Sequence, residues 1–424
     1  MAAKAARTVA DPALDAVFAE VIGTPEGRRD PYLFYRRLRD EAPVYQSGLG
    51  LVICTRYDDC QFVLRDPRFG KAGGGLDERV KARFGSLENY EEMAEALSDR
   101  RSLLFLNPPD HTRLRGLVSK AFTPRTVEGL RPKIAAMVDD LLDQVEVGEV
   151  TDVMGQLAFP LPANVISHML GVPEADWPRF RTVMNDAVVL LEPVIADQEL
   201  EAGLHAQKEL VEYFSHLVGL RRSSLGDDLL SHLIAVQEGG DRLSDSELIA
   251  TAILLFGAGF ETTTNLIGNG LHALLTNRDE LARLRVGLAG PERANLVRLA
   301  VEELLRFDSP VQFDGRHAFE EVGLDGVVVP AGGEVVTILG AANRDPAHFS
   351  DPDRLDLRRQ EGPPLSFASG IHFCLGAALA RAEGQVFFEG LLDRFEEIEL
   401  ATESPEWKNR ITLRGLSELP VVFS

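Results

Sequence analysis

Residues Phe367-Ala-Ser-Gly370-Ile-His372-Phe-Cys374-Leu-Gly376-Ala-Ala-Leu379-Ala380-Arg381 form the most informative stretch of the chain. A single cysteine, Cys374, lies between two glycines on a predicted turn that leads directly into an Ala/Leu-rich helix. Because N–H groups at the start of a helix carry partial positive charge, a sulfur held there is stabilised as the thiolate. Gly370 permits the bend before the cysteine. Gly376 lets the backbone approach the sulfur closely. The small residues Ala377, Ala378 and Ala380 leave space for a flat group, and a thiolate held beside a flat group is typical of an axial cysteine ligand to haem.

This segment resembles the haem-ligand loop of the cytochrome P450 family, Phe-x-x-Gly-x-His-x-Cys-x-Gly-x-x-Leu-Ala-Arg. The resemblance implies that Cys374 binds the iron of haem b (iron protoporphyrin IX) and that Phe367 and Gly376 contact the cofactor. It also implies a mainly α fold with a small β region, a helical prism that holds haem between the long central helix and the Cys-loop helix. The alternative is a buried structural cysteine before an ordinary helix, which is the usual role of a single cysteine.

Composition places the chain among globular proteins, with 424 residues of which 45% are apolar and 26% charged. No linker, repeat or low-complexity tract divides it, so we expect a single domain over residues 1–424. The net charge of −22 argues against nucleic acids and anionic membrane surfaces as partners. We also expect a monomer.

The cysteines and the apolar stretches bear on localisation. Cys54, Cys60 and Cys374 are too few for a disulfide framework, which predicts a reducing, cytoplasmic environment. Residues 1–12 contain no continuous apolar segment, and the longest apolar stretch, 249–260, is too short for a bilayer. We therefore expect neither a signal peptide nor a membrane anchor.

Periodicity predicts a helix over 31–39 and helices over most of 126–304. Residues 69–106 are predicted to form a long irregular connection. Apolar runs with turn signals predict three β pairs. These are 44–45 with 51–55, 323–329 with 334–339 around a turn at 330–333, and 411–413 with 420–423.

A capping box of Ser244 and Glu247 predicts the start of a long helix that ends near Asn277. The helix contains Ala258-Gly-Phe-Glu261-Thr262, an unusual set of residues for a buried helix because glycine and a carboxylate both destabilise it. For such a segment alone, a threonine bonded to its own helix and a glycine that permits close packing are a sufficient explanation.

Beside the cysteine loop, the same segment resembles the family's Ala-Gly-x-(Asp/Glu)-Thr oxygen-activation motif. The resemblance implies that Ala258 lies at the haem and that the region of Gly259 widens the groove for O2. It further implies that the Thr262 hydroxyl bonds to dioxygen or its water network and that Glu261 relays protons from solvent. Peroxide-dependent relatives usually lack this acid–alcohol pair, so its presence favours an O2-dependent enzyme.

Four cationic or imidazole side chains match the family's contacts to the haem propionates, namely His111, Arg115, Arg316 and His372. Each of them alone could equally be a solvated or capping residue. Glu303 and Arg306 match the family's Glu-x-x-Arg pair, whose role is structural. We expect Arg354 to be its third partner.

The chain carries no dinucleotide, flavin or iron–sulfur motif, so we expect electrons from a separate ferredoxin and an NAD(P)H-linked ferredoxin reductase. Residues 111–125 contain four basic residues and no acid, and by resemblance they would face an acidic ferredoxin. A solvated helix face explains them equally well. Arg113 is the residue at which we expect charge reversal to slow reduction.

Substrate contacts are expected from residues 69–106, 188–191 and 193–196, and from Val311, Phe313, Thr412 and Leu413. Because these segments are mainly apolar, a hydrophobic substrate is expected. Ordinary packing explains each of them equally well.

The function predicted by the resemblance is that of a haem-thiolate monooxygenase. It would hydroxylate or epoxidise a hydrophobic small molecule of the terpenoid, steroid, fatty acid or polyketide class. A peroxide-driven or oxidative-coupling enzyme of the same type is one alternative. A haem sensor or haem-binding protein without turnover, and a helical binding protein without haem, are alternatives from other classes.

Overall fold

The computed structural model describes residues 11–71, 102–120, 122–192, 195–238 and 241–424, and helices dominate these residues, as predicted. The helices are α1 (Pro12–Gly23), α2 (Pro25–Arg29), α3 (Tyr32–Glu41), α4 (Tyr57–Arg65), α5 (Asp110–Ser119), α6 (Pro124–Leu142), α7 (Pro160–Leu170), α8 (Trp177–Ala187), α9 (Asp197–Ser223), α10 (Leu229–Ala235), α11 (Asp245–Thr276), α12 (Arg278–Leu288), α13 (Arg293–Phe307), α14 (Leu339–Ala342) and α15 (Ala377–Arg394). Short turns of other helical types cover Met154–Ala158, Glu174–Asp176, Val188–Leu191, Leu365–Phe367 and Gly370–His372.

The strands are short. They are β1 (Val44–Gln46), β2 (Leu51–Cys54), β3 (Phe69–Gly70), β4 (Val150–Asp152), β5 (Gln237–Glu238), β6 (Asp241–Arg242), β7 (Phe313–Ala318), β8 (Val322–Leu324), β9 (Val327–Val329), β10 (Glu334–Ile338), β11 (Ile398–Leu400) and β12 (Pro420–Phe423). A five-stranded sheet has the order β1-β2-β10-β7-β3, and a three-stranded sheet has the order β11-β12-β4.

The described chain divides into two compact units. The cysteine-loop unit consists of Met1–Gly70, Arg131–Leu161 and Thr262–Ser424, and the second unit consists of Lys71–Leu130 and Pro162–Glu261. A single domain over residues 1–424 stays a prediction. None of the described helices combines the length and the apolar composition that crossing a membrane requires.

The five-stranded sheet of the cysteine-loop unit is buried on both faces. Side chains alternate across a strand, so Val52 and Cys54 of β2 join one apolar cluster and Ile53 joins another. Helix α4 covers the first face with Tyr57, Cys60, Val63 and Leu64, and α1 and α3 cover the second with Leu14, Phe18, Tyr35 and Leu38. Both faces of the sheet therefore serve as core.

Of the three predicted β pairs, one is confirmed and two are wrong. The first pair is confirmed, since β1 and β2 are antiparallel and Tyr45 lies opposite Ile53. The single strand predicted over 323–329 is wrong, because Asp325 and Gly326 adopt positive φ (43° and 83°) and fold it into the hairpin β8–β9. Positive φ at both central residues is the turn that a two-residue hairpin requires. The predicted pairing of 323–329 with 334–339 is wrong as well, since β10 pairs with β2 and β7.

The predicted pairing of 411–413 with 420–423 is also wrong. Strand β12 instead pairs with β11 and β4, where Val421 lies opposite Leu400 and Thr151. Leu413 pairs with Val311 in an isolated bridge. The helix predicted over 31–39 begins one residue later, with Pro31 as its N-cap.

The Glu303–Arg306 pair is bidentate and buried, with nitrogen–oxygen distances of 2.7 and 2.8 Å. The side chain of Arg359 is its third partner, 3.2 Å from Glu303 Oε2. The prediction of Arg354 is wrong, because its side chain is 62% exposed and pairs with Asp356, whereas that of Arg359 is 7% exposed. Arg354 contributes only its carbonyl oxygen, 3.3 Å from Arg306 Nη2.

Candidate active site

The loop around Cys374 is closed by main-chain hydrogen bonds within the cysteine-loop unit. The Cys374 N–H donates to the Phe367 carbonyl oxygen at 3.0 Å, and the Phe373 N–H donates to the Gly370 carbonyl oxygen at 3.1 Å. Helix α15 then begins at Ala377, three residues beyond the sulfur. The loop thus places the cysteine immediately before the amino end of an 18-residue helix, where the helix dipole favours a thiolate.

Helix α4 shapes this loop. A Cβ atom on Gly370, which has a φ of +73°, would lie only 2.3 Å from the carbonyl oxygen of Leu64. The Arg65 side chain donates to the Ser369 hydroxyl at 2.8 Å. Ala368 also adopts a positive φ of 56°, which is strained for a residue with a side chain. Sequence reasoning found the need for glycine at 370 but missed Arg65, since no local pattern links it to the loop.

Cys374 differs from the two other cysteines in accessibility. Its side chain is half-buried, whereas Cys54 and Cys60 are completely buried. Burial raises the pKa of the Cys54 and Cys60 thiols well above the usual range. These two thiols stay protonated and inert, so Cys374 is the cysteine suited to bind a metal.

The surroundings of Cys374 fit a flat cofactor. Apart from Gly376 and its two chain neighbours, no described residue has an atom within 4 Å of the position that a Cβ on Gly376 would occupy. Ala378 on the first turn of α15 is exposed. Phe367 is buried beneath the loop, with the Arg381 guanidinium 4.4 Å from its ring centroid. His372 is half-buried within the loop. Within the part of the chain that the structure describes, the loop is therefore packed on the side of Phe367, and position 376 and Ala378 are left open at the start of the helix.

Arg316 lies on β7 of the same unit and is buried to 2% exposure. Its Nη1 donates to Asp314 Oδ1 at 2.5 Å and to the Gly315 carbonyl oxygen at 2.9 Å. The Nη2 atom is buried and has no hydrogen-bond partner among the described residues. A buried guanidinium N–H without an acceptor is destabilising, and a cofactor carboxylate would satisfy it. The donor set therefore fits a haem propionate.

The structure brings together the two C-terminal segments that were predicted to contact substrate. Val311 and Leu413 form an antiparallel bridge, and the Gln312 N–H donates to the Thr412 carbonyl oxygen at 2.9 Å. Val311 and Thr412 are half-buried, and Leu413 is buried. Phe313 packs differently.

The ring of Phe313 lies 6.4 Å from that of Phe18 and 6.1 Å from that of Tyr35, as part of the core under α1 and α3. Odd and even positions of β7 point to opposite faces, so Phe313 and Arg316 face apart. Packing in the core accounts for Phe313 without a ligand.

Helix α11 carries the predicted oxygen-activation residues. Its start is confirmed, because the Ser244 N–H donates to Glu247 Oε2 at 2.9 Å and the Glu247 N–H donates to Ser244 Oγ at 3.3 Å. Ala258 is exposed and Thr262, four positions later, is half-buried, whereas most of the helix is buried. Glu261 is 2% exposed.

Gly259 has a packing role in the second unit. A Cβ atom at this position would meet the Ile166 side chain at 3.2 Å, so glycine permits the close contact between α11 and α7. This contact supports the packing explanation for Gly259 rather than a widened groove.

His111 and Arg115 lie one turn apart on α5 in the second unit. His111 is buried, and burial together with the nearby Arg115 charge lowers the pKa of its imidazole. Arg113 forms an ion pair with Glu247, the capping residue of α11. Most of the substrate contacts predicted for this part of the chain lie outside the described residues, since they fall on 72–101 and 193–194. Residues 188–191 form a short helical turn.

Comparison with known proteins is consistent with this geometry. The family model described as Cytochrome P450 matches residues 81–418. The chain is similar to Cytochrome P450 107B1 of Saccharopolyspora erythraea, with 42% identity over 93% of this chain and 95% of the relative. It is 38% identical to the Polyketide biosynthesis cytochrome P450 PksS of Bacillus subtilis, over 94% of this chain and 97% of the relative. Among solved structures, the chain is similar to P450BioI, whose crystal structure is a complex with an acyl carrier protein that carries hexadec-9Z-enoic acid. The two chains superpose with a TM-score of 0.84 and are 34% identical, and the match covers 94% of this chain and 99% of that chain.

Proposed function

The chain belongs to the cytochrome P450 family, and we propose that Cys374 is the thiolate ligand of its haem and that a long acyl chain or polyketide is its substrate. As a family member it is a haem-thiolate monooxygenase, which inserts one atom of O2 into a hydrophobic small molecule. For a hydroxylation, R–H, O2, two electrons and two protons yield R–OH and water. The haem, when bound, supplies the activation of O2.

The single observation that carries the proposal is the position of Cys374. Its half-buried sulfur precedes the amino end of α15, beside a surface that the described residues leave uncovered. The main-chain bond to Phe367 fixes the sulfur, and the helix dipole favours its ionised form. The orphaned Nη2 of Arg316 supports a second contact, to a propionate. His111, Arg115 and His372 are the remaining donors that we propose for the propionates.

Thr262 and Glu261 are proposed to deliver the two protons. The Thr262 hydroxyl can donate one hydrogen bond and accept another, so it can hold a water or dioxygen in a fixed orientation. The buried Glu261 carboxyl would pass protons along this bond from solvent. In the interior of α11, Ala258 is exposed and Thr262 is half-buried, and this partial exposure supports a site for O2 beside them.

The substrate class is inferred from the apolar lining and from the relatives. Val311, Thr412 and Leu413 are proposed substrate contacts, while Phe313 is left to the core. The names of two similar proteins refer to polyketide biosynthesis and to an acyl group on a carrier protein. An extended, mostly apolar chain is their common chemistry, and burial would hold it. We further propose a monomeric, cytoplasmic enzyme with a ferredoxin as the electron donor.

Two measurements test the proposal. Reduced protein treated with carbon monoxide should show the red-shifted Soret band of thiolate ligation. Cys374→Ser should lose this band, whereas the control Cys60→Ser should keep it. Retention of the band in Cys374→Ser would refute the ligand assignment.

For the substrate, palmitoleic acid, a macrolactone, a steroid and a terpenoid should be compared by the shift in haem spin state that they produce. Binding and 18O incorporation with the first two support the acyl or polyketide class. A response confined to the steroid or terpenoid would refute it.

A further inference from the structure

Arg414 is the most extensively bonded side chain next to the proposed substrate contacts. Its Nε donates to Asp308 Oδ1 at 2.6 Å and its Nη2 lies 3.4 Å from Asp308 Oδ2. Nη1 and Nη2 also donate to the carbonyl oxygens of Arg28 and Arg29, at 2.6 and 2.9 Å. The guanidinium carbon lies 3.7 Å from the ring centroid of Trp407. A single buried cation thus links the last turn of α2, the end of α13 and the C-terminal segment.

The main chain of Arg414 is held just as firmly. Its N–H donates to the Pro310 carbonyl oxygen at 2.8 Å, adjacent to the Val311–Leu413 bridge. Its carbonyl oxygen accepts a bond from Asn269 of α11 at 3.1 Å. Residue 414 is therefore bonded directly beside both of the segments that carry the proposed substrate contacts.

Asp308, the counter-ion of Arg414, is linked to the segment of Val311 through the neutral side chains of Tyr32 and Gln312. Tyr32 donates to Asp308 Oδ1 at 2.8 Å, and Gln312 Nε2 lies 3.3 Å from the Tyr32 hydroxyl. Gln312 Nε2 also donates to the Ser309 carbonyl oxygen at 2.7 Å. Arg414, Asp308 and Tyr32 are each less than 9% exposed. Replacing a buried ion pair with apolar residues often leaves stability unchanged, so such a pair can serve to select one arrangement of the surrounding chain.

On the basis of the proposed function, we propose that Arg414 is a positioning residue. It fixes the strand segments 310–313 and 411–414 in one register, so that Val311 and Thr412 present a rigid surface to the substrate. The consequence is selectivity for one position along a flexible acyl chain. Without the guanidinium fork the two segments can shift, and neighbouring methylene groups then compete for oxidation.

Arg414→Lys tests this directly, because a single ammonium keeps the charge but cannot bond Asp308, Arg28 and Arg29 in the fork geometry. Arg344→Lys is the matched control. Arg344 also lies over the Tyr32 ring, 3.7 Å from its centroid, and donates to the Phe307 carbonyl oxygen. Its side-chain hydrogen bonds within the described residues go to Phe307 and Asp353, not to the substrate segments. Both variants are checked for an unchanged carbon-monoxide spectrum.

The first readout needs no turnover. Amide hydrogen exchange at Gln312 and at residue 414 should accelerate at least tenfold in Arg414→Lys and stay unchanged in Arg344→Lys. The second readout is the distribution of hydroxylation positions on palmitoleic acid, which should broaden in Arg414→Lys alone, with a larger change in KM than in kcat. If Arg414→Lys does not fold, Tyr32→Phe, which removes only one hydroxyl, should shift both readouts in the same direction by a smaller factor.

Unchanged exchange in Arg414→Lys, or equal changes in Arg344→Lys, would overturn the proposal. Faster exchange with an unaltered product distribution would also overturn it, because Arg414 would then be only structural. If wild-type enzyme does not oxidise palmitoleic acid but oxidises the macrolactone, the distribution is measured on the macrolactone. Absence of turnover with both palmitoleic acid and the macrolactone overturns the proposed substrate class. In that case the amide exchange data by themselves decide whether Arg414 is a positioning residue.

Discussion

Replacement of Glu383 by glutamine should change how stability depends on pH. Glu383 lies on α15 with 1% exposure, and its Oε2 atom has no hydrogen-bond partner among the described residues. Burial alone raises the pKa of this carboxyl well above the usual range. In the unfolded chain the pKa of a glutamate is about 4.3. The carboxyl is therefore neutral in the folded protein and ionised in the unfolded chain at neutral pH.

The sign and size of the effect follow from proton linkage. Since folding takes up one proton at Glu383, the free energy of unfolding falls as the pH rises above the unfolded pKa. The decrease is about 1.4 kcal/mol per pH unit until the folded pKa is reached. Glu383→Gln has nearly the same shape and cannot ionise, so it should lose this dependence.

Urea unfolding, followed by circular dichroism at pH 5, 6, 7 and 8, measures the difference between wild type and variant. The gap in unfolding free energy should widen in favour of Glu383→Gln with rising pH. Glu396→Gln, which alters an exposed carboxylate after the same helix, is the control and should show no widening. A constant gap between wild type and Glu383→Gln across this range would refute the assignment of a neutral, buried acid.

Three further predictions concern single side chains. Thr262→Ala should divert electrons to hydrogen peroxide and lower the amount of product formed per NAD(P)H by about tenfold, equivalent to about 1.4 kcal/mol. Thr262→Ser keeps the hydroxyl and should restore coupling. Fully coupled turnover in the alanine variant would contradict the proton-delivery role. Arg316→Leu should release haem to apomyoglobin about 10- to 100-fold faster than wild type, as expected for the loss of a charge-assisted hydrogen bond of about 1.5–3 kcal/mol. Arg358 is exposed, so the control Arg358→Leu should release haem at the wild-type rate. Arg359→Ala should lower the free energy of unfolding, measured in urea, by about 1.5–3 kcal/mol. Arg354→Ala should lower it by less than about 0.5 kcal/mol. The reverse order would contradict Arg359 as the third partner of Glu303.

Features whose signal is contained within a short stretch were predictable from the sequence. The loop at Cys374 and the capping box at Ser244 are each complete within one segment, because helix starts and tight turns are local structures. The hairpin β8–β9 also had a local signal, Asp325-Gly326, but the apolar residues on both sides favoured a single strand.

Long-range partners could not be predicted in this way. Arg354 and Arg359 are five residues apart on an irregular segment, and only the tertiary structure decides which one is buried against Glu303. The pairing of Val311 with Leu413 joins residues about a hundred positions apart without a shared pattern. The bonds between Arg414 and the last turn of α2 span almost the whole chain, so no local spacing could indicate them.

The contact of Gly370 with the Leu64 carbonyl oxygen has a consequence for recombination between family members. Helix α4 acts as the template for a loop that lies some three hundred residues later, and it leaves no space for a side chain at position 370, where a Cβ atom would lie 2.3 Å from the Leu64 carbonyl oxygen. A crossover placed between these two segments would combine the template of one parent with the loop of another. Functional chimeras of this enzyme should therefore inherit both segments from the same parent.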